Sequence, residues 1–339
     1  MSEGVEAAAA RSVEESGEAG SPELWDAAGR AASAFAALRS VLDRHVVAHD
    51  EVKQALLLAL ATREHIYIEG PPGTAKTRIS ELTAQASDLE FFFYQLHRDT
   101  RLAELVGDVV LERRTVDQGE QIHQRIEPGG LLTAEICVLD DVSRAPGEAL
   151  NVLLRILNER RFGAQPIPLM TAIATGNPMD DEYYNEPLDP ANLDRFALQL
   201  RVHGLVQTAA DAAAELIDRF ASGEVVERPE PVPVIGRAEL DAAYSLLPSV
   251  AVPRPVRVAL LEFLRSLVVE HGCDETNSLL TDRSFLVKAV KLARARALLD
   301  GRVEVGLEDL DLLRWMTTFR VPQEVAEIVP NLILRASGR

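Results

Sequence analysis

Residues 66–77 of this 339-residue chain read Ile66-Tyr67-Ile68-Glu69-Gly70-Pro71-Pro72-Gly73-Thr74-Ala75-Lys76-Thr77, and no other stretch constrains the fold as much. Three large apolar residues make a short buried strand. The Gly/Pro run stops it, and a helix follows from Lys76. A tight loop between a strand and a helix N-terminus aims successive backbone N–H groups at one point, which suits an anion. The closing Lys-Thr gives it the Walker A form, with Lys76 for the β- and γ-phosphates and the Thr77 hydroxyl for Mg²⁺. Gly70, Pro71, Pro72, Gly73, Thr74 and Ala75 supply the cradle. The pattern has glycine where Ala75 stands, and a methyl is tolerable there only if that residue is not at positive φ.

A second motif falls where the first demands it. Ile136-Cys137-Val138-Leu139-Asp140-Asp141 is an apolar strand ending in two carboxylates. Asp140 suits Mg²⁺, through water, and Asp141 suits polarising an attacking water. The competing use of the pair is to cap a helix near 146. Most such sites carry Glu at the second position. Asp141 is one methylene shorter, and a misplacement of about 1 Å can cost about a hundredfold. Slow hydrolysis is the expectation, unless the backbone compensates.

Around these motifs, apolar strands at 66–68, 91–96, 136–139, 170–174 and 197–202 alternate with helical stretches near 76–86, 101–106 and 146–159. That rhythm predicts an α/β fold with a parallel five-stranded sheet between helices. Residues 108–127 break it with a β-hairpin turning at Asp117-Gln118-Gly119. A helix at about 206–221 leads to Glu227-Arg228-Pro229-Glu230-Pro231-Val232-Pro233, and from 236 onward the periodicity is helical only. The organisation read from this is an acidic disordered tail (1–21), an αβα core (22–204), a connecting helix and Pro-rich linker (205–235) and an all-α domain (236–339).

Lys and Arg number 35 against 53 Asp and Glu, a net charge of −18. This argues against a broad nucleic-acid surface but leaves room for a local basic site. Cys137 and Cys273 are the only cysteines, too few for a disulfide framework or a Cys-based zinc site. They fit a reducing cytoplasm, and the acidic start is unlike a signal peptide. The longest aliphatic run, Ala55 to Ala61, is far too short to span a membrane.

With both motifs in place, the chain resembles the AAA+ superfamily, specifically the MoxR family, over about residues 40–330. Asp140-Asp141-Val142-Ser143-Arg144-Ala145-Pro146 carries the resemblance, with Leu153-Leu154-Arg155-Ile156-Leu157-Asn158-Glu159-Arg160, Ala174-Thr175-Gly176-Asn177-Pro178 and Leu193-Asp194-Arg195-Phe196. Thr281-Asp282-Arg283-Ser284 ahead of an amphipathic helix looks closest to the RavA-like branch. The 108–127 hairpin fits the helix-2 insert of that clade.

The resemblance implies an AAA+ ATPase core, a helical lid, and ATP or ADP with Mg²⁺ between them. It makes Asn177 sensor 1, orienting water and γ-phosphate; an Asn-Pro turn is the alternative. It makes Arg195 an arginine finger acting in the neighbouring subunit, against an ion pair with Asp194 or Glu186. Arg283 becomes sensor 2, in its own subunit or across the interface, or else decorates a helix start. Arg144 is a candidate interface residue, with a solvated or structural role as the alternative. A homo-oligomeric ring, most often a hexamer, follows from the trans finger. A von Willebrand factor A domain protein and a client complex are the implied partners. The leading expectation is chaperone-like remodelling by a cytoplasmic motor. The alternatives are a nucleic-acid motor, opposed by the charge, and a nucleotide-dependent scaffold with slow turnover, motivated by Asp141. The short segment between Glu159 and Met170 leaves little pre-sensor hairpin for threading.

Overall fold

Apolar strands without alternation need cover on both faces, and the chain supplies it from its two ends and its middle. The computed structural model describes residues 21–339 apart from 117–118, 179–187, 189, 228, 275, 279 and 281. Helix α1 (Pro22–His45) is capped by Ser21, whose hydroxyl accepts the Leu24 N–H, with Pro22 in its first turn and Arg44 and His45 in its last. Ala28, Ala31, Phe35, Leu38 and Leu42 form its buried stripe. Helix α2 (Asp50–Thr62) is buried almost all round. Then come β1 (Ile66–Glu69), α3 (Lys76–Gln85), β2 (Ser87–Asp88), β3 (Phe91–Gln95) and a short α4 (Leu102–Val106). An antiparallel hairpin of β4 (Gly107–Val116) and β5 (Gly119–Pro128) follows. The core continues with β6 (Ile136–Asp140), α5 (Gly147–Glu159), the small hairpin of β7 (Arg161–Phe162) and β8 (Gln165–Pro166), β9 (Thr171–Gly176), α6 (Pro190–Leu193) and β10 (Leu198–Arg201). Helices α7 (Leu205–Thr208) and α8 (Ala210–Ala221) lead to β11 (Ile235–Gly236). Among the described residues, the α-helices that follow are α9 (Arg237–Leu246), α10 (Arg254–Arg265), α11 (Asp282–Leu299), α12 (Leu313–Thr317) and α13 (Gln323–Ala336).

The central sheet runs β10-β1-β9-β6-β3 with every pairing parallel. Side chains alternate between two cores, as a two-residue period requires. Ile66, Ile68, Ile136, Val138 and Ile173 join α1, α2, α3 and the C-terminal helices in one apolar cluster. Tyr67, Cys137, Leu139, Ala172 and Ala174 join α5 in the other. Helix α1 lies on α9 and α11, and α11 on α2, so residues 22–45 share a core with the C-terminal helices. Among the described residues no helix is long and apolar enough to cross a membrane.

The fold is the expected one, with local differences. Strand β9 runs past Ala174 because Thr175 and Gly176 still pair with Ile68 and Glu69 of β1. The helix expected over 206–221 is interrupted at Ala209, whose φ of −155° is not helical. Residues 87–88 and 235–236 make a two-residue parallel pair that ties the end of the Pro-rich segment to the core; it is too short to leave a sequence pattern. The hairpin's turn at 117–118 lies outside the described residues.

One expectation is corrected. Ala75 sits at φ 60°, ψ 14°, in the left-handed region directly before the first residue of α3. The loop must reverse into the helix within one residue, and the methyl is carried at a cost of about 1–2 kcal/mol. Replacing Ala75 with Gly should therefore raise stability, by about 0.5–1 kcal/mol after glycine's greater unfolded-state entropy, read as a higher urea midpoint at unchanged m-value.

His65 gives a second test of the core. Its Nδ1 accepts the Ala172 N–H at 3.0 Å and its Nε2 donates to the Leu157 carbonyl at 2.9 Å. Both ring nitrogens are thus satisfied in the neutral form, and burial holds the pKa at about 4 against 6.5 when exposed. The folded value is the lower one. The unfolded chain binds the proton first as pH falls, so stability drops between about pH 6.5 and pH 4, by about 3 kcal/mol for this group. His65→Gln should flatten that part of a urea-unfolding pH series; an unchanged slope would exclude His65 as its source.

Candidate nucleotide-binding site

Three neighbouring parallel strands, β1, β9 and β6, end together at Glu69, Gly176 and Asp140. Ligands of open α/β sheets bind beyond such carboxyl ends. Gly70 leaves β1 so close to the β10 end that a Cβ there would lie 2.7 Å from the Val202 carbonyl oxygen. The loop then turns through Gly73 at φ +82° and Ala75 into α3. Thr74 donates its hydroxyl to the Pro71 carbonyl at 2.8 Å, which stiffens the turn.

Lys76 lies on the floor of this loop, almost fully buried. Its ammonium donates to the Gly70 carbonyl at 2.6 Å, the Pro71 carbonyl at 2.8 Å and Asn177 Oδ1 at 3.2 Å. Burial pulls its pKa below the usual lysine value, against Asp141, Asp140 and Glu69, which favour the charge. Thr77, one residue into α3, donates to Asp140 Oδ1 at 2.7 Å. The same oxygen accepts the Thr175 hydroxyl at 2.5 Å. Thr175 in turn accepts the Asp141 backbone N–H at 3.2 Å.

Asp141 is in the left-handed region, φ 55° and ψ 47°. Among the described non-glycine residues at positive φ, Asp141 and Ala75 are the two that line the cleft. Its carboxylate accepts Asn177 Nδ2 at 2.8 Å and lies 3.5 Å from the Arg144 guanidinium. Asn177 therefore joins the lysine of one motif to the second acid of the other. These residues line a cleft of about 440 Å³ with Arg78, Gln95 and Arg144. Thr77 and Asp140 present hard oxygen donors side by side, a set that fits Mg²⁺. Beneath the cleft, burial raises the Glu69 pKa while the nearby Arg201 opposes it.

The structure thus brings together Gly73, Thr74, Ala75, Lys76, Thr77, Asp140, Asp141 and Asn177. Arg195 and Arg283 do not line this cleft. Arg195 lies between α6 and β10, and its Nε is buried without a hydrogen-bond partner. Its competing partner Asp194 is engaged by Arg320 at 3.1 Å, and Glu186 lies outside the described residues. Arg283 is exposed in the first turn of α11. Thr175, Arg78 and Gln95 were not singled out from the sequence. Thr175 left one signal, a polar residue inside an apolar strand. Arg78 left another, a cation two residues beyond Lys76.

A sequence model of the MoxR domain of MoxR–vWA–beta-propeller ternary systems matches residues 34–227. Chaperone MoxR1 of Mycobacterium tuberculosis is 24% identical over 324 residues, spanning 91% of this chain and 77% of that protein. An uncharacterised Methanocaldococcus jannaschii protein, MJ0079, is 28% identical over 281 residues, spanning 82% of this chain and 68% of its own length. The crystal structure of a candidate ATPase from Cytophaga hutchinsonii superposes with a TM-score of 0.71 over 92% of this chain and 96% of that one, at 18% identity, and so shares the fold. The family match covers more than half of the chain and contains every residue of the cleft; the chain belongs to the MoxR family of AAA ATPases.

Proposed function

We propose that this protein binds and hydrolyses ATP in the cleft at the ends of β1, β9 and β6 and uses the cycle to remodel a partner protein complex. The observation that carries this reading is the continuous hydrogen-bonded chain Lys76–Asn177–Asp141, with Thr77 and Asp140 beside it. The loop N–H groups and the α3 N-terminus hold the phosphates, and Lys76 exchanges its loop carbonyls for phosphate oxygens. Thr77 and Asp140 would hold Mg²⁺, which neutralises phosphate charge when bound. Asp141 accepts the proton side of the attacking water, and Asn177 fixes that water against the γ-phosphate. The left-handed turn at Asp141 supports this reading despite the short side chain, because it sets the carboxylate against Asn177.

Arg195 is the residue that completes a neighbour's site, which makes a closed ring, a hexamer by family resemblance, part of the mechanism. Arg283 serves as sensor 2 on the helical lid. The family model comes from systems containing a von Willebrand factor A domain protein and a β-propeller. They are the proposed partners, and a chaperone-like role follows the named relative MoxR1.

Two measurements test this. Lys76→Ala should weaken binding of a fluorescent ATP analogue and abolish turnover of chromatographed protein; turnover equal to wild type would refute the assignment. Tight binding by the wild type without turnover would instead favour the scaffold reading. Arg195→Ala and Asp141→Asn should each lose about 10³-fold in kcat alone, the scale of arginine-finger effects, and recover activity when mixed. Absence of recovery would place Arg195 outside the neighbour's site.

A further inference from the structure

The loop that carries Arg195 has little regular structure of its own, yet its backbone carbonyls are gripped from beneath. Arg320, which follows α12 and is only 3% exposed, reaches into it. Its Nε donates to Asp194 Oδ1 at 3.1 Å. Its Nη2 donates to the carbonyls of Asp194 at 3.2 Å and Phe196 at 2.8 Å, and its Nη1 to that of Ala197 at 3.3 Å. Gln199, fully buried on β10, adds Nε2 bonds to the Leu193 carbonyl at 2.7 Å and the Phe196 carbonyl at 3.2 Å. Its Oε1 accepts the Phe319 N–H at 3.2 Å, so the two clamp groups are linked.

A planar guanidinium spreads five N–H donors over three nitrogens in a fixed fork, whereas an ammonium carries its three donors on one nitrogen. On either side of Arg195 the loop is therefore set by Arg320. Arg195 itself keeps a buried Nε with no hydrogen-bond partner. Lys288, on α11, also donates to the Asp194 carbonyl at 3.3 Å. The grip thus comes from two separate parts of the helical C-terminal region, and both approach the loop at Asp194.

We infer that Arg320 is a positioning residue for Arg195, transmitting the placement of the C-terminal helices to the residue that enters the neighbouring subunit's site. The inference rests on Arg195 acting in trans, as proposed above. Its signature is a complementation group. An Arg320 variant should keep a sound nucleotide site of its own and fail only in what it offers its neighbour.

The test is subunit mixing with ATP turnover as readout. Arg320→Gln should lower kcat about 100-fold, the cost of a misplacement near 1 Å, with the KM for ATP changed less than about twofold. Mixed with Asp141→Asn subunits, which retain Arg195, it should recover turnover. Mixed with Arg195→Ala subunits it should not. Arg320→Lys should restore little, because donors on a single nitrogen cannot reach acceptors that are now spread over Nε, Nη1 and Nη2. A loss that persists with Asp141→Asn, or wild-type kcat, would overturn the inference. Should Arg320→Gln fail to fold, Asp194→Asn removes only the charged acceptor. It should cost about fivefold in kcat within the same complementation group, and wild-type kcat there would overturn the inference equally. If Arg195→Ala is itself not rescued by Asp141→Asn, the trans reading fails and the clamp falls with it. If that rescue works while Arg320→Gln and Asp194→Asn turn over like wild type, only the clamp is discarded.

Discussion

The candidate site turns on one hydroxyl. Thr175, fully buried in β9, donates to Asp140 and accepts the Asp141 backbone N–H. Both acids sit on a neighbouring strand end, and one of them is in the left-handed region. Without the hydroxyl, the Asp141 N–H would lose the partner seen here, and an unpaired buried N–H costs about 1–3 kcal/mol. The bond to Asp140 also fixes the oxygen that Thr77 approaches from α3. A single side chain therefore sets the register between the Thr77–Asp140 oxygen pair and Asp141. The parallel sheet makes this possible, since it brings β1, β9 and β6 to a common edge.

Charge works locally against the global trend. A chain of net charge −18 has no general attraction for a polyanion. The cleft nevertheless gathers Lys76, Arg78 and Arg144 around the loop, facing only Asp140 and Asp141. Backbone N–H groups at the α3 N-terminus add positive potential that no count of side chains records. The low pKa tendency of Lys76 comes from burial, and the two acids and Glu69 limit it. An acidic surface and a phosphate cradle are thus compatible because the cradle is built mostly of backbone.

The sequence revealed the sheet and the cradle because each follows from short-range pattern. Apolar runs such as Ile136–Leu139 mark doubly covered strands, and the Gly/Pro loop with Lys76-Thr77 is contiguous. What it hid depends on residues far apart along the chain. Asn177 is marked in the sequence only by family resemblance; its bridge between Lys76 and Asp141 is a property of strand order. Thr175 is one polar residue among apolar neighbours, and nothing local tells whether its hydroxyl meets an acid. Arg320 is more distant still, separated from Asp194 by the whole helical region. The φ of Ala75 could not be read either, because the left-handed turn is imposed by where α3 must begin relative to β1.

Ala75 and Asp141 are both non-glycine residues at positive φ, and both border the same cleft. Each stores strain on the order of 1–2 kcal/mol, which surrounding structure must hold in place. For Ala75 that structure is α3, whose Ile79 and Leu82 are locked in the apolar cluster shared with α1, α2 and the C-terminal helices. For Asp141 it is β6, buried along its whole length, and the Thr175 hydroxyl. The same cluster continues into α11 and α12, next to the chain that carries Arg320 to the Arg195 loop. The Arg195 loop and β6 each reach both cores, Ala197 and Val138 on one side of the sheet and Phe196 and Leu139 on the other. A shift of the C-terminal helices would be felt both at the α3 side of the cleft and at the Arg195 loop, because close-packed side chains transmit strain.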